Sequence, residues 1–378
     1  MSSVEEFRTE IRGWLKTHLS GSFAALRGRG GPGREHEAFA ERLTWERHLA
    51  AHGWTCVGWP KEYGGRGASI AEQIAFHEEY ALADAPARVN HIGEQLLGPT
   101  LVDHGTEEQK ARFLPPIRAA RELWCQGYSE PGAGSDLAAV RTRATLTGGS
   151  WVIDGQKIWT SLAHEAQWCF VLARTEPGSR RHTGLSYLLV PLDQPGVEIR
   201  PIVQLTGTSE FNEVFFDGAV TDAAHVVGAP GDGWRIAMAT LGYERGVSTL
   251  GQQVGFRREL DALVALARRN GAAADPDIRD RLTRAWAGLE ALRAGALRGT
   301  DPSAAKLYWS HWHRDLGELA LEVCGPAATL AAGAPYELDD WQRLFLFSRA
   351  DTVYAGSSEI QRNIIAERVL GLPKEPRP

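Results

Sequence analysis

Residues 150–161, SWVIDGQKIWTS, lie where the sequence changes from a helical to an extended pattern. The stretch opens with Trp, Val and Ile, and the dipeptide Asp154-Gly155 that follows is typical of a hairpin turn. Further short runs rich in β-branched and aromatic residues occupy residues 168–173, 185–190, 197–201 and 211–216. Because no helical pattern separates these runs, they predict a small antiparallel β-sandwich or barrel rather than a parallel doubly wound sheet.

The sequence before this region has helical patterns. Phe7, Ile11, Trp14 and Leu15 stand at helical spacing, and similar patterns fill residues 39–49 and 70–82. Another helix is predicted to begin after a capping box, with Thr at position 106 and Gln at 109. The two prolines at 115 and 116 are expected to close it.

The sequence after the β-rich region also predicts helices. Ala, Leu, Arg and Glu dominate residues 260–268 and 278–297, and Asp275-Pro276 and Asp301-Pro302 mark helix starts. We therefore expect a multidomain α+β protein, with a helical domain at residues 1–121, a central β domain at 122–230 and a C-terminal four-helix bundle at 231–378.

Composition and charge exclude several classes of protein. Among 378 residues, 43% are hydrophobic and 23% are charged, which is typical of globular domains. The net charge of −6 provides no basic excess for nucleic-acid binding, and no apolar run approaches the length of a membrane span. The N-terminus lacks the pattern of a signal peptide. A cytoplasmic protein without nucleic-acid or membrane partners is the expectation.

The cysteine and histidine patterns predict no metal centre. The four cysteines are far apart and form no CxxC pair. His311 and His313 flank Trp312, and two helical residues at this spacing point apart. Four buried thiols and structural histidines are the simpler interpretation.

Residues 128–136, YSEPGAGSD, form the segment most suggestive of a ligand site. Glycines let a backbone approach a ligand closely, and Ser129 and Ser135 supply short hydroxyl groups. Such a loop after a strand can hold the edge of a flat heterocycle, although an ordinary surface turn has the same composition.

This loop resembles the TEPGAGSD-type loop of the acyl-CoA dehydrogenase family of flavoproteins. GQKIWTS at 155–161 is similar to the flavin-facing strand of that family. Three further segments resemble signatures of the family: WTCVGWPKEYGG at 54–65, GTEEQKARFLP at 105–115 and AGSSEIQRNIIA at 355–366. The motifs occur in the family's order, and the predicted plan of helices, β domain and helices is also the family's plan.

The resemblance implies that FAD is the cofactor. Tyr128 and Ser129 would then contact the pyrimidine edge and N5 region of the flavin, Trp159 would pack against it and Ser161 would bond near N5. Gly134 and Ser135 would lie at the pyrophosphate, with Ser135 also at the thioester ligand. The remaining cofactor contacts implied are Arg268, Gly356 and Ser357. Two segments depart from the family pattern: RRNG at 268–271 replaces RKTFGK, and VCGP at 323–326 lacks the usual Gly-Gly.

The resemblance also implies a catalytic base. In many family members a glutamate precedes the C-terminal Gly-Thr/Ser pair, but Ala355 stands there in this chain. Other members, among them isovaleryl-CoA dehydrogenase, place the glutamate before an arginine in the first helix after the β domain. Glu244 and Arg245 match that arrangement as base and substrate-binding residue. Glu359 is a weaker alternative base.

These residues imply α,β-dehydrogenation of an acyl thioester to the 2-enoyl thioester. The thioester is carried by CoA or an acyl-carrier protein, and the electrons pass to an electron-transfer flavoprotein. The acyl group is left open. Two alternatives remain: a flavin monooxygenase of the same superfamily, acting on an amine or sulfur compound, and a non-catalytic partner subunit. The family also implies a homotetramer, or a heterotetramer with a paralogue.

Overall fold

A computed structural model describes residues 3–244, 248–335 and 337–374, except for the side chains of residues 244, 248–251 and 297. The chain forms two compact units, Met1–Glu244 and Arg245–Pro378. Along the chain, helices come first, a β-sheet follows, and helices return. This order confirms the predicted fold class.

In the described part of the chain, five α-helices precede the sheet: α1 Ser3–His18, α2 Phe39–Ala51, α3 Ile70–Leu82, α4 Gly98–His104 and α5 Glu107–Arg118. The first three pack around a shared apolar cluster. Ile11 and Leu15 of α1 lie in this cluster with Trp45 of α2 and Phe76 of α3. The helical spacing of apolar residues therefore identified the buried face of α1 correctly.

The capping box that was predicted for α5 is present. The Thr106 N–H donates to Gln109 Oε1 at 3.1 Å, and the Gln109 N–H donates to Thr106 Oγ1 at 3.2 Å. The prediction that Pro115 and Pro116 end the helix was wrong, because α5 continues to Arg118. A proline lacks the N–H that bonds one turn back, but the Pro115 carbonyl still accepts from the Ala119 N–H at 3.1 Å.

One eight-stranded sheet follows, in the order β6-β7-β3-β2-β4-β5-β8, with β1 paired to β4. Its pairs are antiparallel except for β1 with β4 and a single residue pair between β2 and β4. The strands are β1 Trp124–Gly127, β2 Arg143–Thr147, β3 Ser150–Ser161, β4 Trp168–Arg174, β5 Leu185–Pro191, β6 Val197–Ile202, β7 Phe211–Asp222 and β8 Val226–Val227.

The predicted hairpin turn at Asp154-Gly155 was wrong. Both residues lie inside β3, opposite a bulge in β7. There Asp154 Oδ1 accepts from the Gly218 N–H at 3.0 Å. Gly155 is needed because a Cβ at this position would lie 2.5 Å from Thr142 Oγ1. The chain turns between β2 and β3 at Gly148 and Gly149, both with positive φ.

Helix α6, Gly233–Glu244, belongs to the first unit although it follows the sheet in sequence. Its buried Ile236 and Ala237 join the apolar cluster that contains Phe170 and Tyr187 of the sheet. The first residue of the helix packs closely against β5, since a Cβ on Gly233 would lie 2.5 Å from the Ser186 backbone. Packing against the sheet therefore positions the first turns of α6, the helix that ends at Glu244.

The second unit contains α7 Ser248–Asn270, α8 Pro276–Leu297, α9 Pro302–Cys324, α10 Asp340–Asp351 and α11 Ser358–Ile364. Asp275 and Asp301 cap α8 and α9 as predicted, and each is followed by proline. Leu316, Leu319, Ala320 and Val323 form an apolar stripe on α9, and this stripe lies in the unit's own core. Among the described residues, no helix is both long and apolar enough to cross a membrane.

Candidate active site

The loop after β1 is held in a tight turn by its own backbone. The Glu130 N–H donates to the Ala133 carbonyl at 3.1 Å, and the Ala133 N–H returns a bond to the Glu130 carbonyl at 2.9 Å. The Glu130 side chain is turned inward, where it accepts from the backbone N–H groups of Arg141 at 2.6 Å and Thr142 at 2.9 Å. The loop is thus anchored to the segment that leads into β2.

Lys157 of β3 completes this anchor. Its side chain is fully buried, and its Nζ donates to Glu130 Oε1 at 2.8 Å, the Tyr128 carbonyl at 3.0 Å and the Leu172 carbonyl at 2.8 Å. Burial alone would raise the pKa of Glu130, but the charge of Lys157 and the hydrogen bonds lower it. The carboxylate therefore stays ionised.

The role of Lys157 was not predicted from the sequence. The available signal was the position of this lysine in its strand. Strand residues alternate between a buried and an accessible side, and Lys157 falls on the buried side. A buried ammonium needs an anionic partner, and Glu130 was one of the two acidic residues in the other motif. The ion pair is therefore one of the links that join the two motifs, YSEPGAGSD and GQKIWTS.

The exposed part of the loop contains two glycines that the chain itself does not require. Neither Gly132 nor Gly134 has a positive φ, and no described atom lies within 4 Å of a Cβ built on either residue. Ser135 beside them is exposed. Since neither conformation nor internal packing demands glycine here, space for a bound group is a sufficient physical reason for both.

Trp159 and Ser161 lie on the outward side of β3. Trp159 is 56% exposed, whereas Thr160 between them is fully buried and Ser161 is half-buried. Trp159 adopts a φ of +60°, which is rare for a bulky residue. The neighbouring Ile158 N–H donates to the Ser129 carbonyl at 2.9 Å, so the strand and the loop are adjacent.

The structure therefore brings together Tyr128, Ser129, Trp159 and Ser161, as the sequence predicted. The Tyr128 side chain is buried in the sheet's apolar cluster, which leaves only its backbone for a ligand. In the described chain, the hydroxyl groups of Ser129 and Ser161 have no hydrogen-bond partner, and both can bond to a ligand.

The predicted base is at the end of a helix. Glu244 is the last residue of α6, and its side chain lies outside the described residues. The predicted substrate-binding residue, Arg245, also lies outside them.

The other predicted cofactor residues belong to the second unit. Arg268 is exposed in the last turn of α7. Ser357 caps α11 and accepts from the Ile360 N–H at 3.4 Å. Gly356 has a φ of +88°, and its carbonyl accepts from Gln361 Nε2 at 3.2 Å. Ala355, which occupies the alternative base position, has a φ of +51°.

Glu359 has the properties of a helix-start residue rather than of a base. Its side chain is 77% exposed in the first turn of α11, and Arg362 lies 3.7 Å away. Its own backbone amide and the Ser357 hydroxyl lower the pKa of the carboxyl group. A general base for a weakly acidic proton benefits from the opposite shift.

Three family descriptions match the chain in consecutive segments. Residues 2–121 match the acyl-CoA dehydrogenase N-terminal domain, residues 125–219 match its middle domain and residues 231–370 match its C-terminal domain.

Individual proteins agree with these matches. The chain is 67% identical to acyl-CoA dehydrogenase IpdE1 of Mycobacterium tuberculosis, over 99% of each chain. Among solved structures, the steroid ACAD Tcur3481-Tcur3483 is 31% identical with a TM-score of 0.85, and the match covers 99% of each chain. The ChsE4-ChsE5 complex from Mycobacterium tuberculosis is also 31% identical, with a TM-score of 0.83 over 100% of this chain and 99% of the other. The chain therefore belongs to the acyl-CoA dehydrogenase family.

Proposed function

We propose that the chain is an FAD-dependent acyl-CoA dehydrogenase that converts an acyl thioester to the 2-enoyl thioester. The observation that carries this proposal is the surface formed by the anchored loop and β3. There β3 carries the exposed Trp159 and the free hydroxyl group of Ser161, and it bonds to the loop at Ser129. The same loop contains the open glycines at 132 and 134.

This surface fits the isoalloxazine and pyrophosphate of FAD. An exposed indole offers an apolar face for a flat ring, and the serine hydroxyl groups can bond to the polar atoms at its edge. Gly134 leaves room for the backbone to approach the pyrophosphate, with Ser135 next to it. Arg268, Gly356 and Ser357 are proposed as further FAD contacts on the family resemblance, and Arg268 supplies a cation for a phosphate.

Glu244 is the proposed base. It would take the α-proton of the thioester, and Arg245 would hold the substrate beside it. FAD, when bound, supplies the acceptor for the hydride that leaves the β-carbon. The base assignment is supported by Ala355 at the other family position, since a methyl group cannot accept a proton. The exposure and lowered pKa of Glu359 count against that residue.

The proposed substrate is a thioester whose acyl group derives from a steroid. Support comes from the Tcur3481-Tcur3483 protein, described as a steroid ACAD, which matches this chain along its whole length. CoA is the proposed carrier, in keeping with the family, and an electron-transfer flavoprotein is the proposed electron acceptor.

A heterotetramer with a paralogue is the proposed assembly. Both solved relatives above have names that combine two proteins, and one is described as a complex. The altered VCGP segment at 323–326 is consistent with a site completed by a different subunit. We also propose the domain boundaries 1–121, 122–230 and 231–378.

The test is anaerobic addition of acyl thioesters to the purified yellow protein, with flavin bleaching as the readout. Steroid-derived acyl-CoA should bleach the flavin, whereas straight-chain acyl-CoA of similar mass should do so far more slowly. Bleaching by no thioester, either alone or after mixing with the paralogue, would contradict the dehydrogenase proposal. Oxygen uptake with an amine or sulfur substrate would favour the monooxygenase instead.

A further inference from the structure

Three histidines of the N-terminal helices form a compact cluster outside the proposed flavin surface. His18 is the last residue of α1, His48 lies in the last turn of α2, and His52 caps the C-terminus of α2. One ring nitrogen from each lies within 4.8 Å of those of the other two. The ring centroids are 5.0 Å apart for His18 and His48, 4.7 Å for His18 and His52, and 4.4 Å for His48 and His52.

We propose that His18, His48 and His52 form a binding site for a divalent transition-metal ion of the Zn²⁺, Ni²⁺ or Co²⁺ type. Imidazole nitrogen is a preferred ligand for these ions. His48 and His52 are four residues apart on one helix, the spacing that places two imidazoles on one face for zinc. His18 supplies the third ligand from a second helix.

The three ring nitrogens lie within 4.8 Å of one another and can reach one ion after small side-chain shifts. At a metal–nitrogen distance of about 2.0–2.1 Å, two ligands of a tetrahedral site lie about 3.3 Å apart. His18 Nδ1 and His48 Nε2 are 2.9 Å apart, so a small widening is enough. Three ligands leave a fourth tetrahedral position for water or an anion.

Hydrogen bonding already orients one ligand. His52 Nδ1 donates to the His48 carbonyl at 2.8 Å, which leaves Nε2 of His52 with its lone pair free. A backbone carbonyl in this role is the usual partner for the second nitrogen of a metal-bound histidine. When both rings are neutral, one N–H lies between His18 and His48. On metal binding, its proton would move to the other nitrogen of the same ring, so the site would release no proton.

The surroundings favour the neutral form of the imidazoles, which is the form that binds a metal ion. Burial, followed by the charge of His52, lowers the pKa of His18 and of His48, which keeps their lone pairs available near neutral pH. The C-termini of α1 and α2 meet here, and both helix ends carry partial negative charge. Trp14 stacks on His18 at 4.4 Å and limits its movement.

The experiment uses the full chain without a histidine tag, stripped with a chelator and dialysed. Calorimetric titration with Zn²⁺ should give one ion per chain, and Co²⁺ should produce the visible d–d bands of a tetrahedral site. His52→Gln removes one exposed ligand and should weaken Zn²⁺ binding by at least about 100-fold, because loss of an outer partner alone costs about 10- to 100-fold. The control is His36→Gln, an exposed histidine of the same domain, which should bind as the unmodified chain does.

Thermal unfolding gives a second readout that does not depend on flavin or activity. Zn²⁺ should raise the melting temperature of the unmodified chain and of His36→Gln, but not that of His52→Gln, since an ion that binds only the folded state stabilises it. Absence of stoichiometric binding would overturn the proposal, as would equal Zn²⁺ affinity in His52→Gln and the unmodified chain.

Discussion

Lys157 is the residue on which the geometry of the candidate site most depends. Its ammonium group holds the Tyr128 carbonyl and the Glu130 carboxylate at the start of the flavin-facing loop. The pair is buried, and removal of one partner would leave the other charge without compensation. The loop and β3 would then keep the backbone hydrogen bond from Ile158 to Ser129 but lose their side-chain link.

We expect Lys157→Met to destabilise the first unit by about 3–5 kcal/mol, because the buried Glu130 carboxylate loses its counter-charge. Urea unfolding measures this change in stability. The flavin absorbance of the purified variant measures how much FAD the loop still binds. The double variant with Glu130→Gln should recover part of the stability. The control, Lys61→Met, changes an exposed lysine and should have little effect. Equal stability of Lys157→Met and the unmodified chain would show that the pair is not the anchor.

Trp159 and Ser161 should contribute directly to FAD affinity. Trp159→Ala removes the exposed aromatic face and should weaken FAD binding by about tenfold, whereas Ser161→Ala removes one hydrogen bond and should cost about fivefold. Fluorescence titration of the apoprotein measures both. Trp286→Ala, at an exposed tryptophan of the second unit, is the control. A protein that stays colourless after reconstitution with FAD would sink the cofactor proposal.

At the scale of elements, a buried histidine ties three helices of the second unit together. His313 of α9 bonds to Asp351 Oδ2 of α10 at 2.5 Å and to Glu259 Oε2 of α7 at 3.0 Å. Burial alone would lower the pKa of His313, but Glu259 and Asp351 outweigh it and raise the pKa to about 10. The imidazolium form therefore connects the two carboxylates.

This arrangement predicts a loss of stability in alkaline solution. The pKa of His313 is raised on folding from its unfolded value of about 6.5. Its contribution is therefore complete below about pH 6.5 and disappears as the pH rises through about 10. The free energy of unfolding should fall between pH 7 and pH 10 by a few kcal/mol more in the unmodified chain than in His313→Gln. Parallel curves for the two proteins would contradict the charged bridge.

Local sequence signals predicted the elements that depend on interactions between residues close in sequence. Helix α3 has the predicted bounds, and the capping box of α5 is present, because both depend on residues a few positions apart. Asp154-Gly155 failed as a turn because β3 extends beyond it to pair with β7, more than 50 residues later. The bridge at His313 was also missed, since Glu259 and Asp351 are 54 and 38 residues away.

For the candidate site, the motifs identified the loop and the strand but not the ion pair that joins them. The family resemblance identified four of the site residues, because they all lie in the two short motifs: Tyr128, Ser129, Trp159 and Ser161. Two of the three clustered histidines could be recognised in the sequence, because His48 and His52 stand four residues apart at the end of a predicted helical region. His18 could not be associated with them until α1 was seen to pack beside α2.

At the scale of the whole molecule, exposed apolar side chains of the second unit predict association. Leu330, Val353, Val369, Leu370 and Leu372 are each at least 50% exposed. The stripe at 316–323 does not contribute, because it is buried in the core of the same unit. Burying these side chains against another subunit would be favourable.

Light scattering at micromolar concentration should therefore give a mass of four chains, each of 41.4 kDa, for the chain alone or with its paralogue. Val353→Asp replaces one of these exposed apolar side chains with a charge and should shift the population to smaller species. Leu146→Asp, at an exposed leucine of the sheet, should leave the mass unchanged. A monomer both alone and with the paralogue would contradict this prediction.

The central claim is that Glu244 removes the α-proton, and the rate of anaerobic flavin reduction by the thioester substrate tests it most directly. Glu244→Gln should bind FAD and substrate but reduce the flavin about 10² to 10⁴-fold more slowly, since that is the usual contribution of a general base. Glu359→Gln is the matched control and should react at the rate of the unmodified enzyme. Adding Ala355→Glu to Glu244→Gln should restore part of the rate. Flavin reduction by Glu244→Gln at the unmodified rate would contradict the account.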